Sequence, residues 1–203
     1  ICRIAKSNGH TKIVSILDNV IPHEKRPGDF QLIRYFVGAV DGFVAMSDSV
    51  KNDLALFTNK TCLLQPHPIY DNFGNMLPKW EAKQHLKLKE DVPYILFFGF
   101  IRDYKGLDLL LEALNHPLLR SLPFKAIIAG EFYTDSKPYT QMIQNFNLEE
   151  KVILRTDFIP DEDVKNYFCA ADIVVQPYKT ATQSGVTQIC YHFNKPMLVT
   201  DVG

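Results

Sequence analysis

Short β-branched or aromatic runs alternate with amphipathic helical stretches along most of this chain, and that alternation constrains its fold more than any other feature. The runs lie at 12–17, 42–46, 61–64, 93–98, 125–129, 152–154, 172–175 and 197–200 and are expected as strands. Between them, apolar residues recur at helical spacing: Leu107, Leu110, Leu111 and Leu114; Tyr139, Met142, Ile143 and Phe146; Val164, Tyr167 and Phe168; Val186, Ile189, Cys190 and Phe193. Strands joined by helical crossovers are parallel and covered on both faces, so the expected class is α/β, doubly wound.

One stretch interrupts the rhythm. Residues 66–78 carry three prolines, a glycine and two asparagines, the composition of a linker. The expected division is 1–66 as one domain, 67–90 as linker and 91–203 as a second domain. Three strands precede the linker, too few to close a sheet comfortably, and the chain ends as a strand running into a loop. Both ends are therefore expected to be cuts from a longer protein. The 203 residues carry 22 Lys+Arg against 23 Asp+Glu, a net charge of −1, which removes any compositional argument for nucleic-acid binding. No apolar run reaches the roughly 20 residues of a membrane-spanning helix, and 1–12 lacks a signal-peptide core. Cys2, Cys62, Cys169 and Cys190 show no metal-ligand spacing, so reduced thiols in a cytoplasmic protein are expected, with Cys169 and Cys190 as small core residues.

In an open parallel sheet the ligand crevice lies beyond the carboxyl ends of the strands. At the first such junction, 98–106, Arg102 offers a planar fork and Lys105 a point charge, a pair suited to diphosphate oxygens, while Gly99 and Gly106 allow close backbone approach. The same residues also fit an exposed loop of solvated charges. The spacing is neither a dinucleotide fingerprint nor a P-loop. A second junction, 176–186, places Thr182, Gln183, Ser184, Gly185 and Val186 where a helix begins, a position that favours phosphate and equally suits a simple N-cap. Gln188, one turn on, can reach ribose hydroxyls. Gly130 and Glu131 close a third strand, where Glu131 can touch a sugar hydroxyl. After the first strand, His23 is a candidate proton carrier near neutral pH, although isolated loop histidines usually carry no chemistry. No residues show metal-ligand spacing or a nucleophile elbow.

Taken together, the segment from Phe97 to Asp108, Ala129-Gly130-Glu131, Gln183-Ser184-Gly185-Val186 and 195–203 resembles the donor-binding domain of the retaining group 1 glycosyltransferases. The stretch from Asp18-Asn19 through Pro22-His23-Glu24 to Ser47 is similar to the closing part of that family's acceptor domain. The resemblance implies the GT-B architecture: two Rossmann-like domains with doubly wound parallel sheets, here an incomplete first domain and most of the second. It implies sugar transfer from a nucleoside-diphosphate sugar to a hydroxyl of a glycan or lipid-linked acceptor, with retention, no cofactor and no metal. On that resemblance Arg102, Lys105 and His23 are the catalytic residues. Gly99, Gly130, Glu131, Thr182, Gln183, Ser184, Gly185 and Val186 meet the donor, Gln188 faces the ribose, and Phe158 and Ile159 lie near the base.

The sequence departs from the family pattern in three places. Two glutamates separated by seven intervening residues correspond here to Thr180 and Gln188, the Gly-Arg after the first donor-domain strand is Gly99-Phe100, and Asp18 stands where some members have His. Two alternatives therefore accompany the transferase expectation: a non-catalytic nucleotide-sugar-binding module, and a GT-B-type sugar-nucleotide epimerase. Peripheral membrane contact through further segments is left open, and this chain alone is expected to transfer sugar poorly.

Overall fold

The computed structural model describes residues 2–24 and 26–202; Gly203, which ends the 195–203 motif, lies outside the described residues. The chain forms two compact units, one comprising residues up to Pro68 with Thr180–Ser184, the other Ile69–Lys179 and Gly185–Asp201.

The first unit holds α1 (Cys2–Ala5), β1 (Val14–Leu17), α2 (Asp29–Ala39), β2 (Gly42–Ala45), α3 (Asp48–Ala55) and β3 (Cys62–Leu64). Its strands are parallel in the order β1-β2-β3. Leu17, Phe43 and Ala45 meet Val37 of α2 and Val50 and Leu54 of α3 in one core. Ser47 caps α3 by accepting from the Val50 amide at 3.3 Å.

The second unit continues with α4 (Lys79–His85), β4 (Tyr94–Phe98), α5 (Leu107–Asn115), α6 (Pro117–Arg120), β5 (Lys125–Ala129), α7 (Lys137–Asn145), β6 (Val152–Arg155), α8 (Asp161–Ala170), β7 (Ile173–Gln176), α9 (Gly185–His192) and β8 (Met197–Val199). Its five strands are parallel in the order β6-β5-β4-β7-β8. The period-2 pattern sorts their side chains between two cores. Tyr94, Leu96, Ile127 and Val174 face α8 and α9, against Phe168, Val186, Ile189 and Phe193. Phe97, Ala126, Ile128 and Val175 face the other way, against the Leu107, Leu110, Leu111 and Leu114 stripe of α5 and Tyr139 and Ile143 of α7. Helices on both faces make this half a doubly wound sheet, as the alternation predicts.

The 67–90 stretch is linker only in part. Ala82 of α4 is fully buried in the second unit's core, where Tyr70, Phe73 and Leu77 also pack. Prolines 66, 68 and 78 break the chain before α4 rather than through it.

Three lysines perform the same local task. Lys60, Lys151 and Lys195 each stand just before a strand and donate to carbonyls where a helix has ended: Lys60 to Val37 and Val40, Lys151 to Leu119 and Leu122, and Lys195 to Cys169 and Ala171. Each ammonium supplies the donors, and the positive charge, that a helix C-terminus lacks. Cys169 and Cys190 are buried, and burial pushes the Cys190 thiol up to about 12, consistent with a core role.

Candidate functional site

The strand order of the second unit reverses between β4 and β7, so the crevice of this sheet lies beyond the carboxyl ends of those two strands. Two glycines shape it. A side chain at Gly130 would put its Cβ 2.3 Å from the Gly99 carbonyl oxygen, and Gly130 holds φ 132°, so β4 and β5 close on each other there by backbone alone. Pairing resumes beyond, with the Ile101 amide donating to Glu131 at 2.8 Å. Gly106, at φ 69°, lies under the Pro177 carbonyl, which a Cβ would approach to 1.9 Å. The Lys179 amide donates to Tyr104 at 2.7 Å, so the turn carrying Arg102 and Lys105 is pinned to the segment after β7.

Three cations converge on this turn, and they are held differently. Lys179 is neutralised by Asp103 and Asp108, each at 2.8 Å. Arg102 and Lys105 have no carboxylate within salt-bridge reach among the described residues. Aromatic rings hold them instead. The Arg102 guanidinium lies 3.6 Å from the centre of the Tyr133 ring and the Lys105 ammonium 5.7 Å from that of Tyr178. A π face orients a cation without cancelling its charge. Burial, and then the neighbouring Arg102, push the Lys105 ammonium down to about 8. Its Nζ lies 3.0 Å from where a Cβ on Gly99 would stand, and Val186 at the start of α9 flanks the same point at 3.7 Å. Two uncancelled cations beside a helix N-terminus form a site for an anion carrying several oxygens.

Next to it a cleft of about 200 Å³ is lined by Gly99, Gly130, Glu131, Phe158, Ile159, Phe73, Phe100 and Asp161, among others. Five expected donor-binding residues thus share one cavity. Phe158 and Phe100 stand 70% and 53% exposed at its rim, flat surfaces on which a planar ring can stack. Reasoning from sequence missed Phe73, Phe100 and Asp161 as lining residues, and Tyr133 and Tyr178 as supports for the cations. Phe100, Tyr133 and Tyr178 are aromatic side chains just after the ends of β4, β5 and β7, a clustering that sequence alone does not pair with the cations or the cleft.

The remaining candidates divide between the two units. Gly185 starts α9 against the Tyr70 ring, which a Cβ there would meet at 2.9 Å, and Gln188 is half-buried on that helix. Thr182, Gln183 and Ser184 belong to the first unit, as does His23. The Thr182 hydroxyl and the Gln183 amide donate to the Asp18 carbonyl at 3.4 and 3.0 Å. His23 Nδ1 lies 3.4 Å from the Thr180 hydroxyl, and burial lowers its pKa despite the nearby Asp53 and Glu24 carboxylates. Among the described residues no group of three His, Cys, Asp or Glu side chains is placed to hold a metal, and no helix is long and apolar enough to cross a membrane.

Residues 92–203 match the family model described as glycosyl transferases group 1. A Bacillus subtilis protein named as a teichuronic acid biosynthesis glycosyltransferase, TuaC, is 26% identical over 91% of this chain and 44% of its own length. Among solved structures, the Anabaena protein HepE in complex with UDP and glucose superposes with a TM-score of 0.78 at 17% identity, over 98% of this chain and 55% of that one. Sucrose-phosphate synthase from Thermosynechococcus elongatus gives 0.78 at 17%, over 94% and 50%. The chain spans about half the length of the relatives it matches.

Proposed function

The chain belongs to the group 1 glycosyl transferases, and from that membership we propose that Arg102 and Lys105 grip the diphosphate of a nucleotide-sugar donor. The observation that carries the reading is the pair of cations held by tyrosine rings, with no carboxylate in reach among the described residues. In this account the two charges stabilise the diphosphate as it departs, the role a metal ion fills elsewhere. The aromatic cleft receives the base between Phe158 and Phe100, with Ile159 beneath, and Glu131 and Gln188 meet hydroxyls of the donor. Gly185 and Val186 bring the α9 N-terminus to the phosphates. Residues 91–203 then form the donor domain and 1–66 part of an acceptor-side domain.

The reaction is transfer of a sugar to a hydroxyl of a glycan or lipid-linked glycan, with retention at the anomeric carbon and no cofactor. The name of the Bacillus relative supports a role in polysaccharide synthesis, and the HepE complex makes UDP the first nucleotide to try. Two experiments test the reading. Turnover of nucleotide sugar with EDTA present should match turnover without it; complete loss would contradict the assignment to Arg102 and Lys105. NMR of the product should show the donor's anomeric configuration; inversion would contradict retention. Thr180 and Gln188, which depart from the acidic pair of the family pattern that the sequence resembles, favour a second reading: a module that binds nucleotide sugar without transferring it. Donor binding by the intact protein with no turnover on any acceptor glycan supports that alternative.

A further inference from the structure

The aromatic cleft beside Arg102 and Lys105 can stack any flat ring, so what separates one base from another there is the polar edge that the ring meets. That edge is one-sided. Glu131 and Asp161 are the polar side chains that line the cleft, and no lysine, arginine, histidine, amide or hydroxyl side chain lines it among the described residues. Neither carboxylate has a cation in salt-bridge reach among the described residues.

The place of Asp161 on α8 aims it at the cleft. It stands one turn before Val164, which lines the same cleft, so both lie on one side of the helix. Three acids, Asp161, Glu162 and Asp163, occupy the first turn, where the helix dipole favours acids with no ligand present. They are not equivalent. Asp163 accepts from the Asn166 amide at 3.2 Å, and neither it nor Glu162 lines the cleft. Asp161 is the one of the three that meets a ring stacked there.

A carboxylate only accepts, and its two oxygens match two parallel N–H donors. Among the common bases guanine offers such a pair, with N1–H and the N2 amino group side by side. Uracil offers one N–H between two carbonyls that a carboxylate repels, and adenine sets its amino group beside a ring nitrogen that accepts. We infer that Asp161 selects the base and that the base is guanine, so the donor is a guanosine-diphosphate sugar. The inference rests on the reading that Arg102 and Lys105 hold the diphosphate, which brings the base to this cleft.

Titration calorimetry tests it with GDP, ADP, UDP, inosine diphosphate and xanthosine diphosphate on wild type, Asp161→Asn and Arg102→Ala. Inosine lacks the N2 amino group, and xanthosine carries a carbonyl in its place. Wild type should bind GDP about tenfold or more tightly than each of the others. Asp161→Asn should lose about tenfold for GDP and gain for xanthosine diphosphate, because the new amide nitrogen donates to the C2 carbonyl. A gain of binding is not the mark of a damaged scaffold. UDP or ADP bound by wild type as tightly as GDP, or a ranking of bases untouched by Asp161→Asn, overturns the inference. The diphosphate reading fails separately. Arg102→Ala should weaken all five ligands alike; if it weakens none while the preference for GDP stands, the diphosphate assignment is contradicted and the assignment of Asp161 is upheld. Absence of binding by all five to wild type overturns both.

Discussion

Lys105 is a cation kept in a poorly solvated position beside the Tyr178 ring, with no carboxylate in salt-bridge reach among the described residues. Its folded pKa of about 8 lies below the ordinary 10.5, so between those values the unfolded chain binds more protons and stability rises with pH. Below that window the charged ammonium carries its full desolvation cost. Lys105→Met should therefore melt above wild type at pH 7, with the gap narrowing towards pH 10, as followed by thermal unfolding across that range. A bound diphosphate reverses the preference by favouring the ammonium. Nucleoside diphosphate affinity should fall roughly tenfold between pH 7 and 9 in wild type and stay flat in Lys105→Met, as measured by calorimetry. Gly130 tests the backbone of the crevice. Gly130→Ala forces a Cβ against the Gly99 carbonyl at positive φ and should cost about 1–3 kcal/mol or more in denaturant unfolding.

At the element scale, three lysines before β3, β6 and β8 close off helix ends. Lys195→Met leaves the Cys169 and Ala171 carbonyls without that donor and should destabilise by about 1–3 kcal/mol, with hydrogen exchange rising first at the end of α8. This is also where the sequence was most and least legible. The strands and α5, α7, α8 and α9 are legible because each buries one apolar stripe or alternates between two cores. The α4 helix is not, since Ala82 is the one apolar side chain it sends into the core and a proline-rich stretch leads into it. The α2 helix carries apolar residues around most of its circumference. Phe30, Leu32 and Tyr35 are exposed while Val37 is buried, so periodicity gave no stripe to detect. In the site, Arg102 and Lys105 were legible from charge at a strand end. The tyrosines holding them were not, because ring and cation come from different loops that only the sheet order brings together.

At the scale of the whole molecule, the strand order β6-β5-β4-β7-β8 makes the turn after β4 a binding site, because the reversal opens a crevice where Arg102 and Lys105 stand. Lys179, a residue of the same charge a few ångströms of backbone away, is spent on Asp103 and Asp108, so proximity to the crevice alone does not make a ligand-binding cation. The direct test is thermal unfolding of the protein with saturating UDP, GDP or ADP, each beside its nucleoside, in wild type and Arg102→Ala. Ligand at about 100 times its dissociation constant stabilises by about 2.7 kcal/mol, a rise of roughly 5 to 11 °C for a protein of this size. At least one nucleoside diphosphate should give such a rise and its nucleoside little, and Arg102→Ala should bind the diphosphate alone about 10- to 100-fold more weakly. Equal responses to nucleoside and diphosphate, or a diphosphate response untouched by Arg102→Ala, would contradict it.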